Sequence, residues 1–312
     1  MSPAALPLTG LRVGISGAVP EREHWGNVRD LDRLILSFVS QLSMLVIKYG
    51  GQVVHASQPL LAPVVAEAAR RRGDRENTSL LLVGSRLWGE RPEVTFRAAR
   101  IAHAKVLLTP KVGAGDPGDP DTRNDSLTAM RIVVSREIDV LIAVGGNLYS
   151  KRGFNPRVLE ELTQARWHEV PCFVVGGLAG VAGGLEREVI EAFSAGTLMD
   201  SARNPLAAWS ENMDEHVGQI LLHLAEHRET FLKPQNASFS GIGQKTRLHE
   251  PILFDDEQAR EVGALPETGA AKVVNVDPGL IRASTRRFAE FRSILDKGDL
   301  RGIREYLQPR VV

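Results

Sequence analysis

Short apolar runs rich in β-branched residues alternate along the chain with longer stretches in which apolar residues recur every three or four positions. "LRVGIS" at 11–16 is a run of the first kind, ends at Gly17, and predicts a buried parallel strand. Leu31, Leu34, Ile35, Phe38, Val39, Leu42, Leu45 and Val46 then fall on one helical face. Gly50-Gly51 should end that helix, because glycine accepts the left-handed conformation that follows a last turn. "QVVHA" at 52–56 reads as the second strand, and Ser57 as the N-cap of a helix carrying Leu61, Val64, Val65 and Ala68.

The alternation continues. Strands are expected at 80–85 and 105–110 with a short helix over 93–103 between them. The stretch "KVGAGDPGDPDTRN" carries too much Gly, Asp and Pro to hold regular structure for long. A helix is expected from about 125 to 137, then "DVLIAV" as a strand, a helix over 156–167, and "CFVVGG" as the sixth strand. Helices over 186–193 and 214–227 follow. Six strands with intervening helices predict an α/β fold with a doubly wound, mainly parallel sheet over 1–230. Residues 231–312 read as a C-terminal extension, irregular at first and helical from 282 to 307. An arm, a small cap and an oligomer contact all fit that extension. There is no internal repeat and no heptad run.

Composition narrows the function classes. In 312 residues, 43% are hydrophobic, enough for a full core, and 38 basic residues balance 38 acidic ones. That balance argues against bulk electrostatic binding of nucleic acid or anionic membrane, though not against a locally basic pocket. Cys172 is the sole cysteine, so no internal disulfide can form and a reducing, cytoplasmic setting is expected. The first ten residues lack the pattern of a signal peptide, and no apolar run reaches the roughly 18 residues of a membrane span.

In open α/β sheets, ligands bind beyond the carboxyl ends of the strands. Four predicted strand ends are marked by glycine or polar residues: Ser16-Gly17-Ala18, Gly84-Ser85-Arg86, Gly145-Gly146-Asn147 and Gly176-Gly177. Glycine lets a backbone approach a ligand and leaves its N–H groups free to donate. Any one of these is ordinary in a βα turn; four at one edge favour a ligand. Gly145-Gly146 is the strongest candidate, because the next helix opens near Pro156 and points its positive end back at that edge. Lys151 and Arg152 in the intervening loop suit a phosphate, or are solvated loop charges. Of Glu160 and Glu161, one is expected to face inward, to bond a ribose or activate water, and the other to lie on the surface.

Arg131 and Arg136 precede the same strand, and an arginine fork fits phosphate, although a solvated helix face is the plainer reading. The run "GGLAGVAGG" at 176–184, with Gly180 and Gly183, can wrap a phosphate or form a tight turn; it is neither a dinucleotide fingerprint nor a P-loop. The histidines are scattered, and His223 and His227, one helical turn apart, lack an evident third ligand, so neither metal nor cofactor is expected. No serine sits in a G-x-S-x-G elbow, and Cys172 reads as core.

Taken together, "RVGISGAVP", "DVLIAVGG", "NLYSKRGFNP" and "VLEEL" resemble the SLOG superfamily. That group includes lonely-guy phosphoribohydrolases, DNA-processing protein A, and sensor domains fused to sirtuin-like or TIR effectors in bacterial antiviral defence. The resemblance spans about 10–230 and implies a modified Rossmann fold with a nucleotide-derived ligand at the glycine-bearing strand ends. The hydrolase signature P-G-G-x-G-T-x-x-E is matched by Gly145 and Gly146, by Glu160 or Glu161 as the acid, and by Arg131 near its Arg/Lys position. It is broken by Val144 in place of proline and by the longer loop over 147–155. The longer loop is similar to that of the sensor branch that binds NAD-derived signals such as cyclic ADP-ribose. The resemblance therefore implies a nucleotide or ADP-ribose-type sensor, with an N-glycosidic-bond hydrolase using Glu160, Glu161 and Arg131 as the alternative. A separate effector protein and a homo-oligomer are the partners it implies.

Overall fold

A computed structural model of the chain describes residues 8–25, 29–71, 79–147, 153–175, 213–232 and 271–307. Its first half is a run of βα units: β1 (Arg12–Ala18), α1 (Leu31–Lys48), β2 (Gln52–His55), α2 (Ala62–Arg71), β3 (Leu80–Ser85), α3 (Glu93–Ala102) and β4 (Lys105–Thr109). Then come α4 (Pro120–Glu137), β5 (Val140–Gly145), α5 (Arg157–Trp167), β6 (Cys172–Val175), α6 (Met213–Glu226) and α7 (Arg228–Phe231). The described C-terminal residues form β7 (Ala271–Val273), α8 (Pro278–Asp296) and α9 (Leu300–Tyr306).

The strands form one sheet in the order β6-β5-β1-β2-β3-β4-β7, and every pairing is parallel. The chain walks outward from β1 to β4, then crosses back to lay β5 on the other side of β1. That return makes β1/β5 the topological switch point. Helices cover both sides: α1 packs on α2 and α6, and α2 on α3, while α4, α5 and α8 pack on one another across the sheet. No described helix is long and apolar enough to cross a membrane.

Sequence explains most boundaries. Leu31, Ile35, Phe38, Val39, Leu42 and Val46 of α1 are fully buried, as their spacing predicts. The helix stops in a Schellman arrangement: Gly50, at φ +84°, donates to Ile47 O at 3.1 Å, and Gly51 donates to Val46 O at 2.9 Å.

Three local expectations change. Ser57 is not the N-cap of α2; it has φ 45°, and the helix begins five residues later. Gln58 takes the capping role, its Oε1 accepting from Leu60 N at 2.6 Å and Leu61 N at 2.7 Å. Next, α4 begins at Pro120 rather than near 125. Asp119 Oδ2 accepts from Thr122 N at 2.9 Å and proline fills the first turn, a start signal hidden inside the Gly/Asp/Pro loop. Last, the pattern predicts six strands and the sheet has seven. Ala271, Lys272 and Val273 are only partly buried, so β7 carries no apolar run to announce it. It is held as an edge strand by β4, with Val274 N donating to Leu108 O at 2.7 Å.

The segment that follows matters for the helices before it. Thr285 Oγ1 donates to Asp125 Oδ1 at 2.8 Å, tying α8 to α4. The Arg287 guanidinium stacks 4.2 Å above the Trp167 ring at the end of α5. With the sheet on one side and α8 on the other, α5 is buried continuously from Val158 to Ala165. At the amino edge, Arg12 bonds Glu137 at 2.5 Å and its N–H reaches Asp139 at 2.8 Å, closing β1 against β5.

Candidate functional site at the sheet switch point

The carboxyl ends of β1 and β5 lie side by side, with Ser16 opposite Ala143 and Ala18 opposite Gly145. Gly145 and Gly146 have φ +62° and +86°, the left-handed region that glycine enters without a Cβ penalty. Space demands glycine as well. A Cβ on Gly145 would lie 2.3 Å from Ala18 O, and one on Gly146 would lie 2.5 Å from Val158 Cγ2. The pair therefore lets the loop after β5 cross close over the end of β1 and under α5. The N–H of Gly146 is not free, as glycine at a strand end was expected to leave it; it donates to Ala18 O at 2.7 Å. Asn147 Oδ1 extends the junction by accepting from Glu21 N at 3.1 Å. Gly17 packs under Leu61 and Val144, and the fully buried Ser16 hydroxyl has no hydrogen-bond partner among the described residues.

Two ion pairs lie on α4 and α5 behind this junction, one buried on both sides and one with a half-buried arginine. Arg131 and Glu160, predicted from opposite sides of the glycine pair, are brought together: Arg131 Nη1 donates to Glu160 Oε2. Thr128, one turn before Arg131, donates to Glu160 Oε1 at 2.5 Å. Burial raises the Glu160 pKa; Arg131, the Thr128 hydroxyl and the Asn155 amide oppose that rise, and Glu161 adds to it. Glu161 is not the surface residue expected beside an inward neighbour. Both glutamates are buried, at 0% and 3% exposure, because α5 has no solvent face there. Glu161 is paired with Arg157 at 2.9 Å, one helical turn away. Burial lowers the Arg157 pKa, Glu161 opposes that, and Arg131 adds to it.

Arg157 also reaches across the sheet edge, its Nη2 donating to Ala56 O at 2.7 Å. Beside it His55, at the end of β2, is buried, with Nδ1 2.8 Å from Ile15 O and Nε2 3.4 Å from Gln58 N. A neutral ring satisfies both contacts, donating from Nδ1 and accepting at Nε2. Burial, aided by Arg157, depresses its pKa to about 4. His55, Thr128 and Arg157 were not among the expected residues. Arg157 had a signal, its spacing of four from Glu161; the other two become neighbours of the site only through tertiary pairing.

The other expected positions differ in placement. Ser85 is buried, and its hydroxyl accepts from Leu87 N at 3.2 Å, capping a short turn through Trp88. Arg86 pairs with Glu90 at 2.8 Å. Arg136 is held away from water, which lowers its pKa. Lys151, Arg152, Gly176, Gly177, Gly180 and Gly183, and the helix expected over 186–193, lie outside the described residues. Cys172 is buried, its thiol pushed up to about 12, which suits the core role expected of it. A third partner for the histidine pair exists after all: His223, Glu226 and His227 bring three ligand-capable atoms within 4.8 Å of one another.

A family model described as SLOG cluster2 matches residues 113–235, a span that holds α4, β5, α5 and β6 with the glycine pair and both ion pairs. The match supports the resemblance to the SLOG superfamily and covers less than half of the chain. That superfamily is associated with folds for nucleotide-related ligand binding or glycosidase-like chemistry. No curated protein matches the chain.

Proposed function

We propose that the chain binds a nucleotide or an ADP-ribose-type small molecule at the β1/β5 switch point and acts as a sensor. The observation that carries this reading is the buried Arg131–Glu160 ion pair, with the buried Glu161 held by the half-buried Arg157, immediately behind the glycine junction. A buried ion pair adds little stability over apolar side chains of the same volume. One of them, with a second buried glutamate and a neutral buried histidine beside it, suggests a selected arrangement, and such groups cluster at functional sites. The position is the one where doubly wound sheets bind ligands. In this reading ligand binding shifts an oligomer or engages a separate effector protein, as in the sirtuin- and TIR-associated branch of the superfamily.

Calorimetric titration with NAD, ADP-ribose, cyclic ADP-ribose variants and nucleoside monophosphates tests the reading. Saturable heat from at least one of them, weakened by Gly146→Ala, is the expected result. Folded protein that gives no heat with any of them contradicts it.

Cleavage of an N-glycosidic bond is a second reading, favoured by the raised pKa of Glu160, as a general acid needs. Against it, both Glu160 oxygens already accept hydrogen bonds, from Thr128 and Arg131. Base release from nucleotides, compared between wild type, Glu160→Gln and Glu161→Gln, separates the two readings. Release that both variants abolish would favour hydrolysis; its absence beside retained binding favours sensing.

A further inference from the structure

Near the carboxyl edge of the sheet, Arg86 is neutralised by Glu90, Arg131 by Glu160 and Arg157 by Glu161. Arg123, in the first turns of α4, has no carboxylate among the described residues. Its guanidinium carbon instead lies 4.1 Å from the centroid of the Phe154 ring and 5.9 Å from that of Trp88. Its remaining described contact is a long one, from Nη1 to Pro117 O at 3.5 Å. An arginine whose face rests on an aromatic ring keeps the N–H groups of its edge for an in-plane, two-point contact with an oxyanion.

The setting is built rather than incidental. Asn124, the next residue on α4, fixes the loop that carries Phe154: its Nδ2 donates to Gly153 O at 3.0 Å and its Oδ1 accepts from Asn155 N at 2.9 Å. Trp88 sits at the end of the turn capped by Ser85 and is 51% exposed, leaving ring surface for stacking. Burial and the neighbouring Arg131 both lower the Arg123 pKa, so an anion there would relieve a destabilised cation. Position also limits ligand size. Three strand spacings separate β5 from β3, about 14 Å at the usual separation. That span suits a base, two phosphates and a second sugar better than a mononucleotide.

We propose that Arg123, held against Phe154 beside Trp88, is a diphosphate subsite for a dinucleotide-sized ligand, with the guanidinium edge taking the phosphate and Trp88 stacking on the base. The subsite rests on the nucleotide-binding reading of the switch point and specifies the part of the ligand that reaches β3.

The test uses the full chain with ADP-ribose, AMP, adenosine and inorganic pyrophosphate, read by calorimetry and by quenching of tryptophan fluorescence. Wild type should bind ADP-ribose more tightly than AMP, bind pyrophosphate weakly, and not respond to adenosine. Arg123→Gln should weaken ADP-ribose binding at least tenfold and abolish the pyrophosphate response, with Arg123→Lys between it and wild type. Trp88→Phe should keep binding but change the quenching, and Trp88→Ala should weaken binding severalfold. Thermal melts of each variant verify folding, and Arg123→Lys stands in if Arg123→Gln does not fold. Equal ADP-ribose binding by wild type and the Arg123 variant overturns the subsite and leaves the nucleotide reading standing. Pyrophosphate binding that needs Arg123, without binding of either nucleotide, keeps the anion subsite and overturns the nucleotide reading. No response of wild type to any of the four probes overturns both.

Discussion

On one side of the sheet, α1 buries Leu31, Ile35, Phe38, Val39, Leu42 and Val46, and none of the described charged residues of α1, α2 or α3 is buried. On the other, α4 and α5 bury Arg131, Glu137, Glu160, Glu161, Thr128, Thr163 and Gln164. α1 and α3 cover β1 to β4 from one side and α4 covers the same four strands from the other, so packing the sheet does not require the second composition. Apolar helices suffice for the first layer, and the charge in the second is concentrated where the chain reverses direction across β1. The contrast indicates that one layer is selected mainly for stability and the other for a polar site that stability alone would not favour.

Double substitution probes this contrast most strongly. Arg131→Met alone strands the buried Glu160 carboxylate and should destabilise the fold by about 3–5 kcal/mol, as should Phe38→Ala in the apolar layer. Adding Glu160→Leu to Arg131→Met should recover most of that loss in urea unfolding, while ligand binding stays lost. If the double variant remains as unstable as the single one, the pair is structural and the two layers do not differ in kind.

Gly146→Ala comes next. It forces a left-handed φ on a residue with a Cβ and pushes that Cβ into buried Val158, together about 2–4 kcal/mol. An unchanged urea midpoint would mean that the junction over β1 is looser than its geometry implies.

A smaller effect separates the layers by pH. His55 has its folded pKa depressed to about 4, from the ordinary histidine value of 6.5. The unfolded chain therefore binds more protons than the folded one between those values. The stability His55 contributes is fully present above the unfolded pKa and is lost as pH falls toward the folded one, about 2 kcal/mol between pH 7.5 and pH 5. His55→Gln should flatten that part of the stability–pH curve. A wild-type curve no steeper than that of the variant would show that the ring is not held neutral. At the bottom of the scale, Arg70→Ala removes an exposed contact with Glu67 on the apolar layer's outer face and should leave the urea midpoint unchanged.

How much of this was legible depended on whether the cause was local. The runs that became β1, β3 and β5 are buried on both faces of a parallel sheet and announce themselves in sequence. The glycine pair was readable from its place after β5, and Arg131 with Glu160 or Glu161 were candidates through family resemblance, but that Arg131 pairs with Glu160 was not. What was missed depends on partners far along the chain. β7 is a strand only because β4 offers it an edge. Glu161 is buried because α5 is enclosed from Val158 to Ala165 by the sheet, by α4 and, from more than a hundred residues later, by α8, so a helix that should have had a wet face has none there. His55 joins the site because β2 lies beside β1, and Phe154 meets Arg123 because Asn124 holds its loop against α4.

A nucleotide-type ligand at the switch point underlies both the sensor reading and the Arg123 subsite. The most direct test is a crystal structure of the full chain grown with ADP-ribose. Ligand density is expected at the carboxyl ends of β1 and β5, in contact with the segment 145–147 and extending toward Arg123 and Trp88. Density for the ligand elsewhere on the molecule, with that edge filled only by solvent, would contradict it.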